Sequence, residues 1–416
     1  MEIRASPLPT PGTDEMPSKG GNPMQTNPAT EVDPDASSEL WSRNFILICL
    51  TNFLVFVSFQ IFVPTLPLYV DRLGGSESAV GVIVGAFTLS AVVIRPWLGR
   101  MVDTHGRRGI YLVGLLFFFA TTLAYFSMTT VFLLFILRVL HGFSWGAVTT
   151  AASTIATDLI PDRRRGEGMG YYGLFTNLAV AFGPALGLWV VERYSFPVLF
   201  AGAAGLVFAA WATAVTIQYP APRRVPAEEE SRRDRMTAGV LTKGTLATSA
   251  MGLCVTFTLG GIVAYLPLFA QERGIPHAGW FFTVFAVTMV AIRPWAGKLF
   301  DRQGPRLTIP CGLISLTLSL ALLSVTDSLS ALLTAAALYG TGFGAVHPSL
   351  QAWTIQRSPS SAKGRANGIF FASFDLGLGI GSILSGLVVE QAGFPAMFLT
   401  AATSLVPAYI LFLRIK

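Results

Sequence analysis

Charge is what this sequence has least of. Asp, Glu, Lys and Arg make up only 12% of its 416 residues, against roughly a quarter in a soluble domain, and that deficit excludes an ordinary water-soluble enzyme. Cysteine is nearly absent as well. Cys49, Cys254 and Cys311 lie in or beside apolar stretches, at no paired spacing and away from any His/Cys cluster, which argues against a disulfide framework or a structural zinc site. There is no His-Glu-x-x-His pair, no serine nucleophile elbow and no group of carboxylates on adjacent spans. The residues that an intramembrane enzyme, a metal or a redox cofactor would need are therefore missing. The net charge of +6 does not read as affinity for nucleic acid, because the basic residues stand apart between hydrophobic runs.

What is plentiful is apolar sequence, at 52% of the chain. Residues 1–40 form the exception: they are rich in Pro, Ser, Thr and acids, contain no apolar run, and read as a disordered tail. Neither a secretory signal nor a mitochondrial presequence fits them. After the tail, runs long enough to cross the hydrocarbon core fall near 44–70, 78–98, 108–127, 130–152, 168–191 and 196–217, then near 244–269, 277–297, 307–326, 329–353, 366–390 and 394–413. Between the sixth and seventh, residues 218–243 carry a dense mixture of Arg and acidic residues, including Arg223, Arg224, Glu228, Glu229, Glu230, Arg232 and Arg233. The expected organisation is thus a tail, a six-helix bundle over 41–217, a cytoplasmic linker over 218–243 and a second six-helix bundle over 244–416. Twenty-three Lys and Arg fall on one side of these spans and only Arg72, Arg193 and Arg273 on the other, which sets both termini in the cytoplasm.

The chain also repeats itself. Ile94-Arg95-Pro96-Trp97 recurs as Ile292-Arg293-Pro294-Trp295, and Gly99, Asp103 and Gly106 recur as Gly297, Asp301 and Gly304 at the same offset. Gly166, Gly170, Gly183, Glu192, Phe196 and Pro197 recur as Gly364, Gly368, Gly381, Glu390, Phe394 and Pro395, and Leu66-Pro67-Leu68-Tyr69 as Leu266-Pro267-Leu268-Phe269. A duplicated six-helix unit in one orientation implies two bundles about an axis along the membrane normal, with a solute cavity between them near the midplane.

The stretch after the second span, Gly99-Arg100-Met101-Val102-Asp103-Thr104-His105-Gly106-Arg107-Arg108, closely resembles the signature loop of the major facilitator superfamily, G-x-L-x-D-R-x-G-R-K. Met101 and Thr104 depart from it. The second copy, Gly297-Lys298-Leu299-Phe300-Asp301-Arg302-Gln303-Gly304-Pro305-Arg306, restores both. The resemblance implies an all-α membrane fold of twelve helices in two pseudo-symmetric bundles, and a conformational switch at Gly99, Asp103, Gly106, Arg107, Arg108, Gly297, Asp301 and Gly304. Arg138-Val139-Leu140-His141-Gly142 resembles the family's R-x-x-Q-G pattern, in which the arginine is associated with proton coupling. Gly183-Pro184-Ala185-Leu186-Gly187 resembles the core of the G-P-x-x-G-G motif of proton-driven exporters, with Leu188 in place of the last glycine. Proline bends a helix and glycine lets neighbours approach, so Gly183, Pro184 and Gly187 read either as a hinge or as plain helix packing. As a whole the chain is similar to the twelve-span, drug:proton antiporter type of this superfamily. That implies a monomeric, multi-pass efflux protein of a bacterial cytoplasmic membrane whose partners are a small molecule, protons and lipid.

Coupling needs a group that exchanges a proton in a conformation-dependent way, and a buried carboxylate suits because burial disfavours its charged form. Asp375, in the eleventh span, is the one carboxylate placed well inside an apolar run, and its repeat counterpart in the fifth is Asn177. The expected coupling set is Asp375 with Arg138 from the opposite half, supplemented by His141 and His347. Each has an alternative role: Arg138 and His141 in interhelix hydrogen bonds, Asp375 in a structural pair, His347 on the carbonyl freed by Pro348. By repeat logic the first, fourth, seventh and tenth spans are central, which nominates Phe56, Gln60, Trp145, Phe257, Tyr265, Phe343 and Gln351, with Asn177, as cavity lining. That lining suits an amphipathic or aromatic solute better than a sugar or phosphate. The sequence thus reads as a proton-coupled exporter working by alternating access; an importer of the same fold is the first rival, with a non-transporting receptor or an intramembrane enzyme far behind.

Overall fold

A computed structural model of the protein describes residues 40–161, 164–219, 242–358 and 363–415. Nearly all of the expected tail and most of the expected linker lie outside these residues; Leu40, assigned to the tail, is fully buried and belongs to the folded part. The first half consists of α1 (Arg43–Arg72), α2 (Glu77–His105), α3 (Arg107–Ala124), α4 (Val131–Leu159), α5 (Arg165–Arg193) and α6 (Phe196–Val215). The second consists of α7 (Lys243–Glu272), α8 (Trp280–Gln303), α9 (Pro305–Ser324), α10 (Leu329–Gln356), α11 (Lys363–Thr403) and α12 (Leu405–Ile415).

The last two labels hide a third break. The 50 apolar residues from Ala366 to Ile415 would make a helix about 75 Å long, more than twice the thickness of a bilayer core. Gly393, at φ +78°, divides them, so that 363–392 makes the eleventh crossing and 394–415 the twelfth. Every expected span is a helix, and several run on past the hydrocarbon. The largest departure is the signature stretch after the second span, which is helix through His105 and turns only at Gly106, φ +91°. Gly304 repeats the turn at φ +64°. Glycine adopts this left-handed backbone without a Cβ clash, and polar residues beyond the membrane extend a helix without leaving a hydropathy signal.

Helix starts obey the repeat too. The Ser42 and Thr242 hydroxyls accept from the backbone N–H three residues on, at 3.2 and 3.1 Å, and Thr130 and Ser328 do so at 3.3 and 3.4 Å. Each satisfies one of the donors that a helix start leaves open. In the first half α1 packs on α5 and α6, α4 on α2 and α3, and α3 on α6; in the second α7 packs on α11 and α12, α10 on α8 and α9, and α9 on α11. This is the same arrangement twice, an all-α fold of two pseudo-symmetric six-helix bundles.

The face carrying the start of α1 and the end of α12 is called the near face, the opposite one the far face. The halves meet mainly through α2 against α11 and α5 against α8. Toward the far face α2 and α11 touch almost backbone to backbone. A Cβ on Gly85 would lie 2.6 Å from Ile383 Cγ1 and 2.8 Å from the Gly379 carbonyl, and one on Gly386 would lie 3.0 Å from Ser78 Cα. Gly81 and Gly85, one turn apart, therefore act as a slot for α11, the small-residue packing that membrane helices use where no hydrophobic force drives them together. Hydrogen bonds across the halves cluster here: Tyr265 Oη donates to the Glu77 carbonyl at 2.6 Å, and Ser382 Oγ to that of Gly81 at 3.4 Å.

Candidate functional site

Below this closure, toward the near face, Arg95 of α2 and Asp375 of α11 form an ion pair between the halves. Their side chains are 30% and 17% exposed, so the pair is largely withdrawn from water, where charge attraction is stronger than at a surface. The expected partner of Asp375 was Arg138; the structure pairs it with Arg95 instead. The reason is geometric, because α2 is the helix of the first half that lies along α11, whereas Arg138 on α4 points into its own bundle. Sequence reading took Arg95 as a repeat residue and a topology charge, not as the partner of Asp375.

Arg138 is 4% exposed and held entirely by first-half groups. Its guanidinium lies 4.1 Å from the centroid of the Phe87 ring, Nη1 donates to Tyr125 Oη at 3.3 Å and Nε reaches the Ile83 carbonyl at 3.5 Å. Tyr125 Oη is in turn 3.0 Å from His141 Nδ1; with Arg138 donating to the hydroxyl, its hydrogen serves an unprotonated Nδ1. The chain Arg138–Tyr125–His141 thus ties α2, α4 and the turn that follows α3 into one body. Arg138→Ala removes the donors to Tyr125 Oη and the Ile83 carbonyl and empties a cation–π site, mechanisms worth about 1–3 kcal/mol each. The expected result is a clearly lower melting temperature of the detergent-solubilised protein, checked by loss of monodispersity on heating.

The second half repeats the scaffold without repeating the charges. Arg293, on α8, occupies the place of Arg95, and Asn177, on α5, that of Asp375. Arg293 has an enclosed Nε with no hydrogen-bond partner. On the adjoining α10, His347 is stacked on Phe343 with centroids 5.3 Å apart and flanked by Phe370 and Phe374 at 5.2 and 5.1 Å. Its Nε2 is likewise enclosed and unbonded, so the carbonyl freed by Pro348 is not its partner through that atom.

At the near face the side chains of Asp103 and Arg100 lie outside the described residues. Arg107 forms an ion pair with Asp158 at the end of α4, and Arg108 lies over the Tyr219 ring, 5.9 Å from its centroid. Burial pushes the Tyr219 phenol up to about 12 against the opposing pull of Arg108. These contacts clamp the turn at Gly106 to the ends of α4 and α6, whereas Asp301 is exposed. In α5, Gly187 meets the Ile61 backbone, with a Cβ there 2.9 Å from Ile61 Cα, and Gly183 faces Gln60 of the same helix. Pro184 sits between them, while the next residues, Ala185 and Leu188, reach Gly279 at the start of α8.

The nominated lining residues fall in separate places. Phe56 and Trp145 form an aromatic wall with ring centroids 4.7 Å apart, joined by Phe59 at 4.3 Å from Trp145, and Gln60 and Phe343 are nearly buried beside the interface. Gln351 Nε2 donates to Asn367 Oδ1 at 2.7 Å, within the second half. Phe257 faces α11 and 394–415, where it borders an apolar cavity of about 230 Å³ with Leu384 and Met397. Tyr265 is fully buried, and its hydroxyl bonds across the halves. Tyr265→Phe removes one hydrogen bond, worth about 1 kcal/mol. A roughly fivefold shift away from the far-closed arrangement is expected, measured as faster labelling of a far-face cysteine.

A family model described as the Major Facilitator Superfamily matches residues 48–278 and 275–416. An uncharacterized MFS-type transporter of Methanocaldococcus jannaschii is 24% identical over 387 residues, covering 90% of this chain and 98% of its own. The staphylopine export protein of Staphylococcus aureus (strain Mu50) is 25% identical over 354 residues, covering 80% and 86%. Among solved structures, a mutant of the nucleoside transporter NupG superposes with a TM-score of 0.76 at 17% identity, covering 89% of this chain and 100% of that one; at that identity the likeness speaks for the fold alone.

Proposed function

The chain belongs to the Major Facilitator Superfamily, and from that premise we propose that it exports a small amphipathic organic solute in exchange for protons. That it is a membrane transporter rather than an enzyme follows from the family; direction, coupling ion and solute are the proposal. The observation that carries it is the Arg95–Asp375 ion pair between the halves. While Asp375 is charged, the pair holds α2 and α11 together beneath the glycine contacts, and the empty carrier stays closed at the far face. Protonation removes the charge and frees Arg95, and so does a solute that pries the halves apart. Either loaded form crosses; the unloaded form does not. That is the requirement for exchange rather than leak, expressed as a shift between two populations.

The aromatic wall of Phe56, Phe59 and Trp145 supports an amphipathic cargo, and the likeness to the staphylococcal relative, an export protein, supports outward movement. Arg107, Arg108 and the turn at Gly106 serve as the near-face latch, and Gly183, Pro184 and Gly187 as the flexible point of α5 beside the junction with α8. The excess of positive residues on the near face supports both termini lying in the cytoplasm, and one copy of the chain contains both bundles. Purified protein in proteoliposomes, with an imposed pH gradient and candidate solutes on one side, tests the reading. Solute-dependent proton movement supports it; solute movement indifferent to the gradient refutes the coupling.

A further inference from the structure

Arg293 and Arg95 occupy equivalent places in the two copies of Ile-Arg-Pro-Trp, yet among the described residues only Arg95 meets a carboxylate. Asp375 answers Arg95. The residue in the corresponding place for Arg293 is Asn177, which is neutral. Arg293 Nε is enclosed and unbonded, and on the neighbouring helix His347 Nε2 is enclosed and unbonded too. The two helices touch beside them: a Cβ on Gly344, one turn before His347, would lie 2.6 Å from Cγ2 of Ile292, the neighbour of Arg293. Three rings, Phe343, Phe370 and Phe374, surround that imidazole at 5.1–5.3 Å. A cation inside a membrane protein is costly unless it has a partner or a wet cavity, and among the described residues Arg293 Nε has no hydrogen-bond partner.

We propose that the missing partner is the solute: Arg293, with His347 beside it, receives a carboxylate of the transported molecule, and the cargo is an amphipathic organic acid. The protein supplies the anion at one arginine and leaves the other to its cargo. A guanidinium offers the planar, two-pronged donor set that fits a carboxylate, and the phenylalanines beside His347 give the apolar part of the molecule a surface. The inference rests on the transport reading above and narrows its solute class.

The test uses full-length purified protein and matched pairs of probes: naphthalene-2-carboxylate with naphthalene-2-carboxamide, indole-3-acetate with indole-3-acetamide, and decanoate with decanamide. Binding is read by tryptophan fluorescence and by thermal stabilisation. At least one acid is expected to bind about tenfold or more tightly than its amide, the size of one charge-assisted hydrogen bond. Arg293→Gln is expected to weaken the acids at least about tenfold more than the amides, so that the difference disappears, and Arg293→Lys restores part of it. Acids and amides that bind wild type alike, or a preference that survives Arg293→Gln, overturn the proposal. The wild-type comparison decides even if the variant misfolds. Transport is measured separately in proteoliposomes. Transport without acid preference refutes this site alone, and acid preference without transport of any solute refutes the transport reading alone.

Discussion

Asp375→Asn is expected to abolish uphill transport while leaving downhill equilibration of the solute in place. With the membrane potential held at zero, a gradient of one pH unit supplies about 1.4 kcal/mol per proton, enough for about tenfold accumulation at one proton per solute. The asparagine variant keeps the shape and hydrogen-bonding capacity of the site but loses the exchangeable charge, so accumulation falls to the equilibrium value. Arg95 is then left without its counter-ion, and the far-closed arrangement is held by packing alone, so the empty carrier also crosses. The measurement is solute accumulation in proteoliposomes across imposed pH gradients, with efflux down a solute gradient as the control. Accumulation that still follows the pH gradient in the variant refutes the assignment of Asp375.

Gly85→Leu is expected to act from the opposite direction, by wedging the far face open. Even a bare Cβ at Gly85 collides with the Gly379 carbonyl and the Ile383 side chain, and backbone cannot yield as a side-chain tip does. Overpacking of this kind costs about 1–3 kcal/mol. Here it falls only on the arrangement in which α2 and α11 touch, so populations shift toward the opened far face by about tenfold or more. Ser382, fully buried at this contact, is the reporter: as a cysteine, in a chain whose three native cysteines are replaced, it labels slowly with an impermeant thiol reagent. With leucine at 85 it should label at least about tenfold faster. Unchanged labelling in a folded variant shows that the glycine slot is not a gate.

The twelve crossings and the internal repeat were legible because a bilayer dictates helix length and composition, leaving a signal that needs no knowledge of packing. Two kinds of feature were not. The helix from Gly99 to His105 lies beyond the hydrocarbon, where polar residues look alike in helix and loop, and only the φ of Gly106 shows where the turn falls. The partner of Asp375 was missed for another reason: two arginines, Arg95 and Arg138, were available, and choosing between them requires knowing that α2 lies along α11. The signal was nevertheless present in the repeat, which puts Arg95 and Arg293 in register with each other and Asn177 and Asp375 likewise. The bond from Tyr265 to the Glu77 carbonyl was hidden by the same want of inter-half geometry, since a tyrosine on a central helix serves equally well as lining or as tether.

The central claim is that the charge on Asp375 holds the far face closed. Paired labels at Ser76 and Gln391, both exposed near the far ends of α2 and α11, report that closure directly as a distance between the halves, measured by pulsed electron resonance at a series of pH values. The account predicts that the wild-type distance distribution moves to a longer population as the pH is lowered, and that in Asp375→Asn the longer population is present at every pH. A distribution that ignores pH in the wild type, or that still responds in the variant, contradicts it.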